Sequence, residues 1–290
     1  MDSSNDYWAR VSGEVNLVSL PDIYWRLKKI LDSNSYAVSD IAKLLALDPG
    51  LTTRLLRIVN SAYFGFAARI ASVDHAVSIL GSQQIHDLVL ATSVADSLGS
   101  YESAQLDVKR FWQRSVYRAI IARNLAGECN LIDSERLFVT GLISGIGHLI
   151  MHQVLPQQSQ QAQQLAQEEE RPLHLAEQQI FAFDHAMVAA ALLLNWNLPD
   201  SLVEVIRYHL EPDVDSDFRL EIAILHLAAH TGDAIEGEHS IDAMLDNVDP
   251  RVWQVTGLDR SQFDPIVETA REHFAVVMAM FFPELSKARA

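Results

Sequence analysis

One cysteine, Cys129, stands in 290 residues, which excludes an intramolecular disulfide and any multi-cysteine metal centre. With no partner thiol, Cys129 reads as a small residue at the edge of a core. Cations are scarce too. The 22 Lys and Arg residues face 38 Asp and Glu, a formal net charge of −16. Gripping a polyanion takes clustered positive charge, and the densest grouping here is Arg54 with Arg57, so DNA is not an expected partner. Phosphate loops, dinucleotide fingerprints and Gly-x-Ser-x-Gly nucleophile elbows are all absent. The segment from Met1 to Asp6 has neither the basic nor the apolar region of a secretory leader. Long apolar runs are missing as well. The best, Leu137 to Met151, is about fifteen residues, is interrupted by three glycines and His148, and falls short of the roughly twenty that a membrane helix needs. A cytoplasmic globular chain with no membrane partner is expected.

What is present is helical periodicity. After Asp48-Pro49, apolar residues fall at Leu51, Leu55, Leu56, Val59 and Ala62, one side of a helix, with Arg54 and Arg57 on the other. Asp48 is placed to cap that helix and Pro49 to begin it. Asn60-Ser61 ends it, with Asn60 suited to a left-handed conformation. Similar patterns predict helices over 23–31, 39–47 (capped by Ser39), 73–80 (stopped by Gly81) and 84–98 (stopped by Gly99). Further helices are predicted over 111–125, 134–151, 157–170, 173–181, 185–196, 200–208, 218–231 and 264–282. Sustained two-residue alternation is absent, so the class is all-α, without a sheet. Loop composition suggests boundaries at Gly99 to Ser103 and at the acidic connector Glu211 to Asp217. The domains expected are an N-terminal helical lobe over 1–103, a second lobe over 104–212, and a C-terminal helical extension over 213–290 packing on the second lobe.

Eleven histidines raise the question of a metal. His226 and His230 share a helix face at i, i+4, but Leu227-Ala228-Ala229 between them supplies no carboxylate, and a helix face is the simpler reading. Asp184 precedes an apolar run, so it can cap a helix that His185 begins. Gly141, Gly145 and Gly147 imply tight helix packing or a local break.

The order of motifs resembles that of the HDOD family, the bacterial HD-related output domain. In the N-terminal half the resemblance rests on Leu20-Pro21, Ile41-Ala42, Asp48-Pro49-Gly50-Leu51, Arg54-Leu55-Leu56, Asn60-Ser61, Ile70-Ala71-Ser72-Val73, Ala76-Val77 and Leu80-Gly81. It continues through Phe111-Trp112 with Ser115, Gly141-Leu142-Ile143, Ile146-Gly147-His148-Leu149, Glu177, Asp184-His185-Ala186, Leu192, Trp196 with Leu198-Pro199, and Ile206 with His209. Roughly residues 15 to 212 are covered.

The resemblance implies a two-lobed multi-helix bundle whose second lobe derives from HD phosphohydrolases. Those enzymes hold metal with a His, a His-Asp doublet and a later Asp. The matching positions here carry Arg114, Ser144-Gly145 and Ala229, so the resemblance implies no catalytic residue, no metal ligand set and no cofactor. A guanidinium stays charged and repels a cation. Two imidazoles remain at matching positions, His185 and His209. Arg114, Ser144, His148, His185 and His209 are the candidates for a vestigial cleft. The leading expectation is a non-enzymatic signalling module that acts on a regulatory protein, with Arg54 and Arg57 as candidate contacts. The alternatives are a sensor of a small anion or nucleotide, such as a cyclic dinucleotide, using that cleft, and a residual metal-dependent phosphohydrolase.

Overall fold

The computed structural model describes residues 2–33, 35–99, 101, 106–237, 240–246 and 248–286, and its described residues contain helices and no strand. In chain order the first helices are α1 (Asp2–Leu17), α2 (Asp22–Leu31), α3 (Val38–Leu45), α4 (Pro49–Val59), α5 (Val73–Leu80) and α6 (Ser82–Leu98). The middle of the chain forms α7 (Val108–Glu128), α8 (Ser134–Ile143), α9 (Ile146–Val154), α10 (Pro156–Glu168), α11 (Leu173–Phe181), α12 (His185–Asn195) and α13 (Asp200–Tyr208). Last come α14 (Arg219–Glu236), α15 (Ile241–Asp246), α16 (Pro250–Thr256), α17 (Phe263–Phe281) and α18 (Pro283–Ser286).

These helices form two compact units, residues 20–100 with 265–290, and residues 1–19 with 101–264. One division falls after residue 100; of the boundary expected at Gly99 to Ser103, residues 100 and 102–103 lie outside the described residues. At both chain ends the division departs from the expected one. Helix α1 belongs with residues 101–264, because its end is tied to α12: Trp196 Nε1 donates to the Val18 carbonyl at 3.0 Å and Asn195 Nδ2 to that of Val15 at 3.1 Å. Tyr7 and Trp8 add edge contacts to Phe181 and Phe183, with ring centroids at 5.8 and 5.2 Å. Residues 265–290 belong instead with residues 20–100. Helix α14 packs on the second lobe. A Cβ on Gly232 would lie 3.1 Å from the Arg118 amide nitrogen, so α14 lies directly against α7.

In the unit of residues 20–100 and 265–290, the core collects Tyr24, Leu27, Ile41, Leu45, Leu55, Ile58 and Ile85, all fully buried. The start of α4 is as expected: Asp48 Oδ1 accepts from the Leu51 amide at 2.9 Å. The start of α3 is not, because Ser39 lies inside that helix and the Asp40 carboxylate instead accepts from the Ala37 amide at 3.0 Å. Asn60 keeps an ordinary φ of −85°. Its side chain clips the following loop to the helix end, donating to the Leu56 and Ile70 carbonyls and accepting from the Ile70 amide at 2.7 Å. Gly81, with φ of 85°, makes the sharp link between α5 and α6 that a side chain would strain.

The other unit is built on α7, α8, α9, α12 and α14. The predicted helix over 134–151 is split at Ser144-Gly145 into α8 and α9. Together Ser134–Val154 has the length and apolarity of a membrane span, longer than the sequence run suggested, but 83% of its apolar window is buried inside the protein, as in a core helix. Cys129 is half-buried, and burial with the neighbouring Glu128 pushes its thiol up to about 11.

Gly147 is where α9 meets α12 most closely: a Cβ there would lie 1.9 Å from the His185 carbonyl oxygen. Gly147→Ala therefore forces two backbones apart and is expected to cost at least about 2 kcal/mol of unfolding free energy. Gly127, exposed in the last turn of α7 with nothing within 4 Å of its Cβ position, is the control. Gly127→Ala should be neutral or stabilising by up to about 1 kcal/mol. Urea unfolding of both variants checks this, and equal effects would contradict the close approach.

Candidate functional site

Two helix starts and the middle of a third helix bring a carboxylate between two imidazoles. Glu177 projects from α11, His148 from α9 and His185 from the first position of α12. Asp184 caps α12 as expected, accepting from the Met187 amide at 2.9 Å, and so fixes where His185 points. Glu177 Oε2 then accepts from both the His185 backbone amide, at 3.0 Å, and its ring Nδ1, at 2.7 Å. Glu177 Oε1 lies 3.3 Å from His148 Nδ1. The close approach at Gly147 lets the two rings stack, with centroids 3.7 Å apart and planes within 20°. Glu177 and His185 are buried, while His148 is partly exposed.

A carboxylate only accepts, so each Nδ1 facing it carries the proton when the rings are neutral. Burial alone would push the Glu177 carboxyl up, but the His185 and His148 imidazoles hold it well below the ordinary carboxylate range. Burial, with His185 next to it, pushes His148 down to about 4, against the pull of Glu177. His209 follows α13 with its ring centroid 6.3 Å from that of His185. Its Nδ1 donates to the Ile206 carbonyl at 2.7 Å, which leaves Nε2 a buried lone pair with no hydrogen-bond partner among the described residues. Burial and then the Arg118 charge hold its pKa far below the usual imidazole value.

A second polar centre lies where α7, α8 and α14 meet. The buried Arg118 guanidinium donates through Nη1 to the Ser144 hydroxyl at 2.9 Å and pairs through Nη2 with the exposed Asp233 carboxylate at 3.3 Å. Ser144 in turn donates to the Gly141 carbonyl at 3.0 Å. A Cβ on Gly141 would come within 2.8 Å of Ala119 Cα, and one on Gly145 within 3.2 Å of the Phe111 ring and 3.3 Å of Arg118 Nη1. Ala229 is buried on α14.

The five expected cleft residues therefore divide. His148 and His185 are joined through Glu177, with His209 beside His185. Ser144 belongs to the second centre. The guanidinium on Ser144 is that of Arg118, one helical turn beyond the expected Arg114, which is half-buried on α7. Sequence reasoning gave no role to Arg118, Asp233 or Glu177. Of the expected partner contacts, Arg57 is exposed. Arg54 is not available in the same way. It pairs with Asp96 and donates to the Phe281 carbonyl and, at 3.2 Å, to that of Met280, so it anchors α4 to α6 and to the end of α17.

A glycine-packed core around α7, α8 and α14, with a histidine cluster at the starts of α9 and α12, defines an all-α multi-helix bundle. The model of the HDOD domain matches residues 17–212, and the chain belongs to the HDOD family. It is 25% identical over 227 residues to an uncharacterized protein of Treponema pallidum (strain Nichols), covering 77% of this chain but only 43% of that protein. Among solved structures it is similar to an HDOD domain protein of unknown function from Geobacter sulfurreducens, with a TM-score of 0.71 and 23% identity over 92% of both chains. A signal transduction protein from Marinobacter aquaeolei VT8 matches with a TM-score of 0.71 and 20% identity, over 99% of this chain and 66% of that one. A phosphohydrolase-type protein from Shewanella amazonensis SB2B matches at 0.71 and 21%, over 96% and 98%. At these identities the shared property is the fold.

The buried histidines make stability depend on pH. Burial, with His230 adjacent, also pushes His226 down to about 4. Unfolded, these imidazoles take up protons near pH 6.5; folded, His148 and His226 resist until about 4 and His209 stays well below its usual value. The unfolded state therefore binds more protons in that window. Stability is full above about pH 6.5 and is lost as the pH falls toward 4. Glu177, held low, adds its own loss only below the ordinary carboxylate range. Urea unfolding free energy should fall by at least about 1.4 kcal/mol per pH unit near pH 5.5. A flat profile between about pH 6.5 and 4.5 would contradict this protonation pattern.

Proposed function

We propose that this HDOD chain is a non-catalytic signal-transduction module that acts by binding a regulatory protein. The observation that carries the reading is the Arg118 guanidinium on Ser144. By the family resemblance, Ser144-Gly145 stands where an HD phosphohydrolase has its metal-binding His-Asp doublet. The donors at that place are a hydroxyl already engaged and a glycine, and the space above Gly145 is taken by Phe111 and Arg118. A fixed positive charge in contact with the hydroxyl opposes a divalent cation, so these residues do not fit the HD metal pair. No hydrolytic step is derived through it.

A fold kept without that chemistry leaves a surface to do the work. In the unit of residues 20–100 and 265–290, Leu47 is exposed in the turn between α3 and α4, Ile79 is exposed on α5, and Arg57 is exposed on α4. Apolar side chains and a cation exposed on the same unit suit a protein partner with an acidic rim. The anion-sensing alternative is less favoured, because Arg118 is buried and its Nη1 and Nη2 are engaged within the protein.

Two assays test the reading. Incubation with phosphomonoester and phosphodiester substrates and added Mn²⁺ is expected to give no turnover above buffer; turnover abolished by EDTA would overturn it. Affinity capture from the native cells is expected to recover a signalling protein with the wild type. Leu47→Glu and Arg57→Glu should each reduce that capture by about tenfold without changing the thermal midpoint. Unchanged capture by both variants would remove this surface from the account.

A further inference from the structure

We propose that His148, Glu177 and His185 bind one divalent transition-metal ion of the zinc class, at a place separate from Ser144-Gly145. One ligand atom from each of the three lies within 4.8 Å of the other two. More telling are the individual separations, 2.7 Å from His185 Nδ1 and 3.3 Å from His148 Nδ1 to the two Glu177 oxygens. Adjacent donors on a tetrahedral ion with bonds of about 2.0–2.1 Å are about 3.3 Å apart, so the donor spacing is near that of a coordination shell, and a tilt of the stacked rings brings both in-plane lone pairs onto one ion. Two neutral imidazoles and one carboxylate are a common donor set for zinc, and their summed charge of −1 suits a dication.

The chain holds these donors without the metal. The His185 amide fixes Glu177 Oε2, the Asp184 cap fixes the start of α12, and Gly147 brings α9 against the His185 carbonyl. Such support keeps the cost of organising a site low. Partial exposure of His148 gives an ion a way in and leaves a coordination position for water or a ligand. On binding, each Nδ1 gives up its proton to the opposite ring nitrogen, so the rings stay neutral and Glu177 exchanges two hydrogen bonds for the ion. His209 adds an observation of its own beside the cluster: a buried ring nitrogen with a lone pair and no hydrogen-bond partner among the described residues, 6.3 Å centroid to centroid from His185. The proposal does not depend on the partner-binding reading, since an ion here can stabilise or sense without hydrolysis.

The test is calorimetric titration of the full chain, stripped with chelator, with Zn²⁺, paired with Co²⁺ absorption spectra. One equivalent of Zn²⁺ should bind, and Co²⁺ should develop visible bands of low coordination number. Glu177→Gln should weaken Zn²⁺ by about tenfold or more. Because Glu177 is buried and that variant can misfold, His148→Asn carries the decision. It should lose affinity by the same factor while the metal-free thermal midpoint stays within about two degrees of wild type, and His230→Gln, on the other histidine pair, should titrate like wild type. Absence of saturable binding at about 100 μM Zn²⁺, or a His148→Asn titration matching wild type, would overturn the proposal.

Discussion

A guanidinium buried where three helices meet constrains the rest of this unit. A charge that cannot be lost is costly inside a protein unless it is paired. Arg118 is placed so that Ser144 and Asp233 reach it from α8 and α14. Close contact among the helices follows from small residues. Gly141 admits the backbone of α7 at Ala119, Gly232 admits it at Arg118, and Gly145 leaves room for the guanidinium itself. Substitution at any of these positions would disturb packing and charge pairing together, which joins the structural core to the question of what the chain can bind.

The Glu177 cluster works by the opposite logic. There a negative charge is buried and satisfied by two imidazole N–H groups and one backbone amide. One centre presents a fixed cation and the other an anion with exchangeable protons, within the same unit. A dication is repelled by the first and suited to the second. The family resemblance therefore points to one place for metal chemistry while the side chains present favour another.

Much of the fold was legible because its signals are local. Asp48, Asp184 and Gly81 act within four residues of their own positions, and each sits where the sequence puts it. Helix α1 was missed although Trp8, Val11 and Val15 follow helical spacing, since its apolar stripe is narrow and acquires meaning only against α12. Arg54 looked like a surface cation because its partners, the Met280 and Phe281 carbonyls, are more than 200 residues away. The candidate site was half legible. His148, His185 and Ser144 came from motif order, but a shift of one helical turn separates Arg114 from Arg118, and periodicity cannot choose between positions on one helix face. Glu177 is 29 residues from His148, and no spacing rule connects a residue on α11 with one on α9.

These features describe an HDOD protein with a buried arginine at a helix junction, for which we propose cation binding at a histidine–glutamate cluster rather than beside Ser144. Both halves of that claim meet in one measurement. Anomalous-scattering difference density at the zinc edge, from crystals soaked in Zn²⁺, is predicted to show a single internal peak between His148, Glu177 and His185 and none beside Ser144. A peak in contact with Ser144, close to Arg118, would contradict the account.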